Sequence, residues 1–432
     1  MADPNIHRPM ALQETPVILP GHDFETVTET ISEVPLARRF PFGWIGLFLI
    51  AQTSYVYVDA NQVGHLKRVY AFSELPPGRI VALDGQKGPQ ADILGPGFHF
   101  IPLVRVMYEV EEFSVVDVPA GFYGEITALD GSAMPEGMFI APVIADKQVD
   151  DMLTASSFLT KGGYKGPQET VLKPGRYRLN RYLFQVRIDE GTRATEIPAG
   201  FVGVVKSNVA RPGIKCIEEL VTTEGATAND ESALRVALVP RGCQGLWKEP
   251  LLPGAYYLNN SAYQVTLLET RVKSWEYRGG YVRRSIDLSV DQEGNIKQSE
   301  TSVDVPVTTD AVDRAVFAKI EGWDIPIEMR AQVQVNPENA PIVVGSVGGI
   351  EEVEHPVLTP IIRSVVRNVT GGLIKLPKVN ADGSQGFELR PTRVTDLIDN
   401  RDALENEIEE LMKIEGRKAG VEFKELRIGE PV

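Results

Sequence analysis

Pro119-Ala-Gly-Phe-Tyr-Gly124 returns as Pro198-Ala-Gly-Phe-Val-Gly203, and this recurrence decides how the 432-residue chain is organised. Gly88-Pro-Gln90 followed by Leu94-Gly-Pro-Gly97 likewise returns as Gly166-Pro-Gln168 followed by Leu172-Lys-Pro-Gly175, with the internal spacing kept. The first pair lies 79 residues apart (119 to 198) and the second 78 (88 to 166), so two separate motifs share one period. A more worn copy follows at Leu252-Pro-Gly254, with Gly279 where Gly200 would fall. About three units are therefore expected between Ser73 and Gly280. Each reads as strand, Pro-Gly turn, strand, Pro-Ala-Gly turn, strand. Phe184, Val186 and Ile188 alternate with Gln185 and Arg187, the period of a strand with one buried face. Proline fixes φ and the following glycine accepts a positive φ, so the Pro-Gly pairs are read as sharp reversals inside small antiparallel β modules.

Working outward, composition narrows the function classes. Forty-four Lys plus Arg stand against 59 Asp plus Glu, a net charge of -15, which is opposite to the footprint of a nucleic-acid binder. No nucleic-acid partner is expected. Cys216 and Cys243 cannot build a disulfide framework or a four-cysteine zinc site, although a single bridge is possible in an oxidising compartment. His7, His22, His65, His99 and His355 are scattered without HExxH or CxxC spacing, so no metal site is expected. Gly345-Ser-Val-Gly-Gly349 lacks the spacing and the lysine of a phosphate-binding loop, and Gly-x-Ser-x-Gly is absent. No catalytic residue, no cofactor and no enzyme activity are expected.

One stretch could meet a bilayer: Pro41-Phe-Gly-Trp-Ile-Gly-Leu-Phe-Leu-Ile-Ala-Gln-Thr-Ser-Tyr-Val-Tyr-Val58, which is uncharged. A spanning helix needs about 20 apolar residues, so this run is at the margin. Its membrane-associating candidates are Phe42, Trp44, Ile45, Leu47, Phe48, Leu49 and Ile50. The other reading of residues 42–58 is the first core strand of a folded body. Residues 1–40 carry six acids, three arginines and five prolines and read as a mostly extended acidic leader. Arg38-Arg39 ahead of the segment argue for an exported body, Lys67 and Arg68 after it argue the reverse, and a single pass or a shallow insertion are both open. The cytoplasmic face is preferred, because two cysteines carry no sign of an oxidising design.

After Gly280 the pattern changes. Ile325, Ile327, Met329, Ala331, Val333 and Val335 alternate with polar residues as an eleven-residue strand, with Val303, Val305 and Val307 as a shorter partner. Leu358, Ile361, Ile362, Val365, Val366 and Val369 follow helical steps from Pro356 to Gly371-Gly372. A second helix is expected from Thr395 to Lys418, striped by Leu397, Leu404, Ile408 and Leu411. A closing strand covers 421–428, with Val421, Phe423, Leu426 and Ile428 inward. The fold class expected is α+β: tandem antiparallel β-rich modules followed by an α+β module with helices on one side of a small sheet.

The order Thr392-Arg-Val-Thr-Asp-Leu-Ile-Asp-Asn-Arg401, acidic amphipathic helix, Gly420-Val-Glu-Phe-Lys-Glu-Leu-Arg-Ile428 and Pro431 resembles the end of the SPFH (band 7, prohibitin homology) domain of stomatins, prohibitins, flotillins and HflK/HflC. The resemblance covers residues 285–432. At the front, Val56-Tyr-Val-Asp-Ala-Asn-Gln-Val-Gly64 and Leu94-Gly-Pro-Gly-Phe-His-Phe-Ile-Pro102 are similar to the opening of band 7 proteins. The division expected is a leader (1–40), an apolar segment (41–58), β modules at 59–130, 131–210 and 211–284, and the SPFH domain at 285–432. The resemblance implies a non-enzymatic, membrane-associated scaffold that forms homo-oligomeric rings or cages and organises membrane microdomains, with lipid and unknown protein clients as partners. The alternative is a soluble vault-like shell or adaptor. The Leu397, Leu404, Ile408 and Leu411 stripe is the candidate oligomerisation surface. SPFH proteins usually continue into a long coiled coil; since this sequence stops after the last strand, it is either a piece of a longer chain or assembles through sheet edges.

Overall fold

The computed structural model describes residues 41–223, 234–291, 294–349, 358–379 and 385–429, so the leader lies outside the described residues. The fold is α+β with mostly antiparallel strands, as composition and patterning led one to expect.

Three three-stranded sheets share one arrangement. Gln62–Arg68 lies between Gly88–Leu94 and Tyr108–Ser114, Gly124–Ala128 between Gly166–Leu172 and Phe184–Arg187, and Phe201–Ser207 between Gly245–Leu246 and Tyr263–Glu269. The first two agree in register: Gly64 faces Leu94 as Gly124 faces Leu172, and each ladder shifts once, between His65 and Lys67 or between Glu125 and Thr127. Gly64, Gly124 and Gly203 occupy the same point of the three central strands. A Cβ there would stand 3.0 Å from Val58, 2.9 Å from Val186 or 2.6 Å from Ile197, so packed side chains take the space a side chain would need.

Each sheet is also clasped by a short ribbon. Tyr55–Val58 pairs with Gly97–Phe100, Val116–Val118 with Gly175–Tyr177, and Thr195–Ile197 with Gly254–Tyr256. This corrects the Pro-Gly reading. Gly97, Gly175 and Gly254 have φ of 119, 153 and 155°, wider than a type II turn, and the strand each opens leaves its predecessor to pair with one much earlier in the chain. The pairings also cut across the expected boundaries. Gly124–Ala128, assigned to the segment 59–130, forms its sheet with strands beyond residue 165, and the first sheet and ribbon begin at Tyr55 rather than Ser73.

The core of the second sheet joins Ile126, Leu172, Leu183 and Phe184 to Met152 and Leu153 of the helix Val149–Leu153 and to Phe158 and Leu159 of the helix Ala155–Thr160. That of the third gathers Val205, Trp247, Leu251 and Tyr263 around Cys243, which is bonded to Cys216.

The C-terminal part is built on a sheet ordered Lys273–Tyr277, Met329–Gln334, Glu422–Ile428, and its core also includes Val202, Val204 and Leu268 from the third sheet. The expected eleven-residue strand is two: Trp323–Ile327 pairs with Val316–Ile320, and Met329–Gln334 belongs to the sheet. The chain turns the corner at Glu328, whose carbonyl accepts the Gly429 N–H and whose carboxylate accepts from the Gly279 N–H and the Tyr281 hydroxyl. Val303 and Val305 do not pair with this strand; they sit in a projecting hairpin, Tyr281–Val290 with Ile296–Val305. The helix Thr359–Thr370 agrees with its stripe, and its expected start at Pro356 lies outside the described residues. The last helix is interrupted: Asp396–Asp399 and Arg401–Lys418 are separated at Asn400, whose φ and ψ are -124° and 31°. Val421, Phe423, Leu426 and Ile428 are all buried. Their change from odd to even spacing is absorbed by a register shift opposite Gln332 and Val333, the extra residue of a β-bulge.

Candidate functional site

Two places in the first three sheets concentrate chemistry: the buried polar joints between successive sheets, and the apolar end of the first. At the first joint the Asn180 amide donates to the Gln90 and Ala91 carbonyls at 2.8 and 2.9 Å, while its oxygen accepts the Tyr182 N–H. At the second, Asn259 donates to the Gln168 carbonyl at 2.9 Å and accepts from the Ser261 N–H. Gln90 and Gln168 each turn back onto two carbonyls of their own loop, Gln86 with Gly88 and Tyr164 with Gly166. All four amides are buried, and these contacts are with backbone, which fixes one sheet against the next.

His65 completes the first joint. Its Nε2 accepts the Arg181 N–H at 2.9 Å, which makes Nδ1 the protonated nitrogen, donating to the Val63 carbonyl at 3.1 Å. Burial holds its pKa below the ordinary value, so the ring is neutral in the fold. Between the second and third sheets, the Tyr263 hydroxyl donates to Glu169 at 2.5 Å, and burial together with this carboxylate pushes the phenol up to about 12.

The apolar segment divides into a 13-residue helix, Pro41–Thr53, and the ribbon strand Tyr55–Val58. No helix among the described residues is long and apolar enough to cross a membrane. Phe48, Leu49 and Ile50 are exposed, whereas the side chains of Phe42, Trp44, Ile45 and Leu47 lie outside the described residues. Ser54 locks the helix to the sheet: its hydroxyl donates to the Ile50 carbonyl and accepts the Leu103 N–H, and its carbonyl accepts the Ile101 N–H. Val56 and Val58 pack inward with Leu66 and Val104, so the end of the run belongs to the first sheet's core, whereas residues 41–53 form a helix and are not part of the single core strand of the second reading.

The expected oligomerisation stripe is corrected. Leu397, Leu404 and Ile408 are buried in the chain's own core, in a cluster with Ile362, Val366, Phe423 and Leu426, and are not offered to a second chain; Leu411 alone of the four is exposed. The amphipathic period of this stripe is that of a face packed on the chain's own core. Beside it, Asp396 accepts both Arg390 nitrogens at 2.6 and 2.7 Å, which with the Arg393 N–H and Asn400 holds its carboxyl down to about 2. This pair closes the hairpin Leu373–Val379 with Gln385–Pro391 over the helix.

A cleft of about 820 Å³ opens between the first two sheets, lined by Asn61, Asp92, Asp117, Asp150, Arg176 and Asn180 among others. Asp117 is paired with Arg176 at 3.7 Å, and Asn180 is committed to the joint. Among the described residues no group of three or more His, Cys, Asp or Glu is placed to hold a metal ion. The Cys216–Cys243 disulfide, the single bridge that two cysteines allow, runs against the preference for the cytoplasmic face, because such bonds persist in oxidising compartments. No protein-family model matches the chain, and no curated protein matches it.

Proposed function

We propose that the chain is a non-enzymatic membrane-associated scaffold: tandem copies of one β module followed by an SPFH-like α+β domain, self-assembling into rings or cages that organise membrane or client proteins. The observation that carries this reading is the recurrence of one register, one bulge and one asparagine joint along successive sheets. Repetition with a rigid, fully satisfied joint builds a stiff body of defined length, which a spacer or wall requires and a catalyst does not. Self-association then falls to open edges. The hairpin Tyr281–Val290 with Ile296–Val305 exposes Val282, Ile286, Leu288, Val290 and Ile296, and both of its outer strands lack a neighbour among the described residues. Flotation of the full chain with phospholipid vesicles tests the membrane part: the protein should rise with the lipid and resist an alkaline carbonate wash.

The soluble shell reading draws support from one observation, the burial of Val56 and Val58 in the first sheet's core. Under either reading the disulfide favours an oxidising compartment for the body, and with Arg38-Arg39 ahead of the helix the membrane-bound form would be exported.

A further inference from the structure

The three ribbons occupy equivalent positions, so their outward faces can be compared directly. Val58 opposite Gly97, Val118 opposite Gly175 and Ile197 opposite Gly254 fix the register, and the next pair outward is Tyr57 with Phe98, Asp117 with Arg176, and Glu196 with Ala255. The second ribbon thus presents an ion pair and the third a carboxylate and a methyl, as solvent-facing ribbons do. The first presents two aromatic rings, 63% and 66% exposed, and continues to Tyr55 opposite Phe100, which is 63% exposed. The fold does not demand aromatics here, since two copies manage without them. Tyr55 and Phe98 stack at 6.0 Å, and the Arg105 guanidinium stands 4.6 Å from the Tyr55 ring at the border of the face. Val106, in the short helix Val104–Met107, and Tyr70 and Phe72, beyond the strand Gln62–Arg68, are exposed as well. This ribbon follows directly on the uncharged helix, with only Ser54 between them, fastened to both.

We propose that the face made by Tyr55, Tyr57, Phe98 and Phe100 docks on the interface of a phospholipid bilayer, resting the first sheet on the headgroups beside the apolar helix. A lipid surface is the occupant that fits. Tyrosine and phenylalanine place apolar rings at the acyl boundary while the phenols stay wet, and Arg105 is within reach of a phosphate. The ribbon is continuous in the chain with a helix exposing Phe48, Leu49 and Ile50, which adds apolar surface next to it, and the charged group at the border of the face is the Arg105 cation.

The inference rests on the membrane reading above, and the test separates the two. Tyr57→Asp combined with Phe98→Arg installs the pair that the second ribbon already carries, so the fold should tolerate it. Full-length wild type and variant are floated with vesicles of phosphatidylcholine and phosphatidylglycerol in equal parts, with circular dichroism and thermal unfolding as controls. Wild type should float and the variant's vesicle affinity should fall about tenfold or more, with unfolding unchanged. Equal flotation of both would overturn the docking face and leave the membrane reading standing; no flotation of wild type would overturn the membrane reading itself. Loss of oligomer mass in the variant without lipid would also overturn the proposal, by making the face a contact between copies.

Discussion

At the scale of single residues, Asn180 and His65 carry the first joint. Asn180→Ala removes two donated bonds and one accepted bond from buried backbone groups, and should cost about 1–3 kcal/mol in denaturant unfolding, with faster amide exchange around residues 88–91. His65 gives the joint a pH dependence whose sign follows from its neutral ring. The folded pKa lies below the ordinary 6.5, so its contribution is complete above 6.5 and is lost as pH falls through that value toward the folded one. The urea midpoint should therefore drop between about pH 7.5 and about pH 5.5, and His65→Asn should flatten that limb. Asp396 acts further down the scale. With its pKa held at about 2 against an ordinary 3.8, it stabilises the C-terminal part by about 2 kcal/mol above pH 3.8, and this is lost as pH falls toward 2; Asp396→Asn should remove that acid-side loss and lower stability at neutral pH.

At the scale of elements, the disulfide and the projecting hairpin divide stability from assembly. Cys216 and Cys243 are 27 residues apart, and a loop of that length should contribute about 3–4 kcal/mol through restriction of the unfolded chain. Cys216→Ser with Cys243→Ser, or unfolding under reductant, should show a loss of that order. The hairpin buries little: of its twenty paired residues most are exposed on both faces. Replacing residues 283–303 by a short Gly-Ser turn should leave thermal unfolding almost unchanged while reducing assembly. The elements also mark what sequence could give. Residue types with a local signal were legible, as with the buried stripe of Thr359–Thr370 and the inward residues of Glu422–Ile428. Which face an amphipathic helix turns to its own chain was not: Leu397, Leu404 and Ile408 have the same period whether they meet this core or another copy. Glu328 gave no warning of a strand break, because the groups that hold it, Gly279, Tyr281 and Gly429, are distant in sequence.

At the scale of the whole molecule, the repeat was legible through its turns, since Gly121 and Gly200 need positive φ and keep their sequence for that reason. Only the opening of the first copy escaped, because Asn61-Gln-Val-Gly64 keeps only the glycine that close packing requires, and its ribbon strand was hidden inside an apolar run that resembles a membrane segment. The strand partners escaped because each ribbon closes over tens of residues, which no local pattern encodes. Of the candidate site, the exposed Phe48, Leu49 and Ile50 were legible from hydropathy, whereas the aromatic face needed the pairing of Tyr57 with Phe98 before it could be recognised. The central claim is that these units form a stiff scaffold which closes with copies of itself. Particle imaging of the detergent-extracted full chain tests it most directly: rings or cages of uniform size are the outcome expected, and a uniform population of monomers would contradict it.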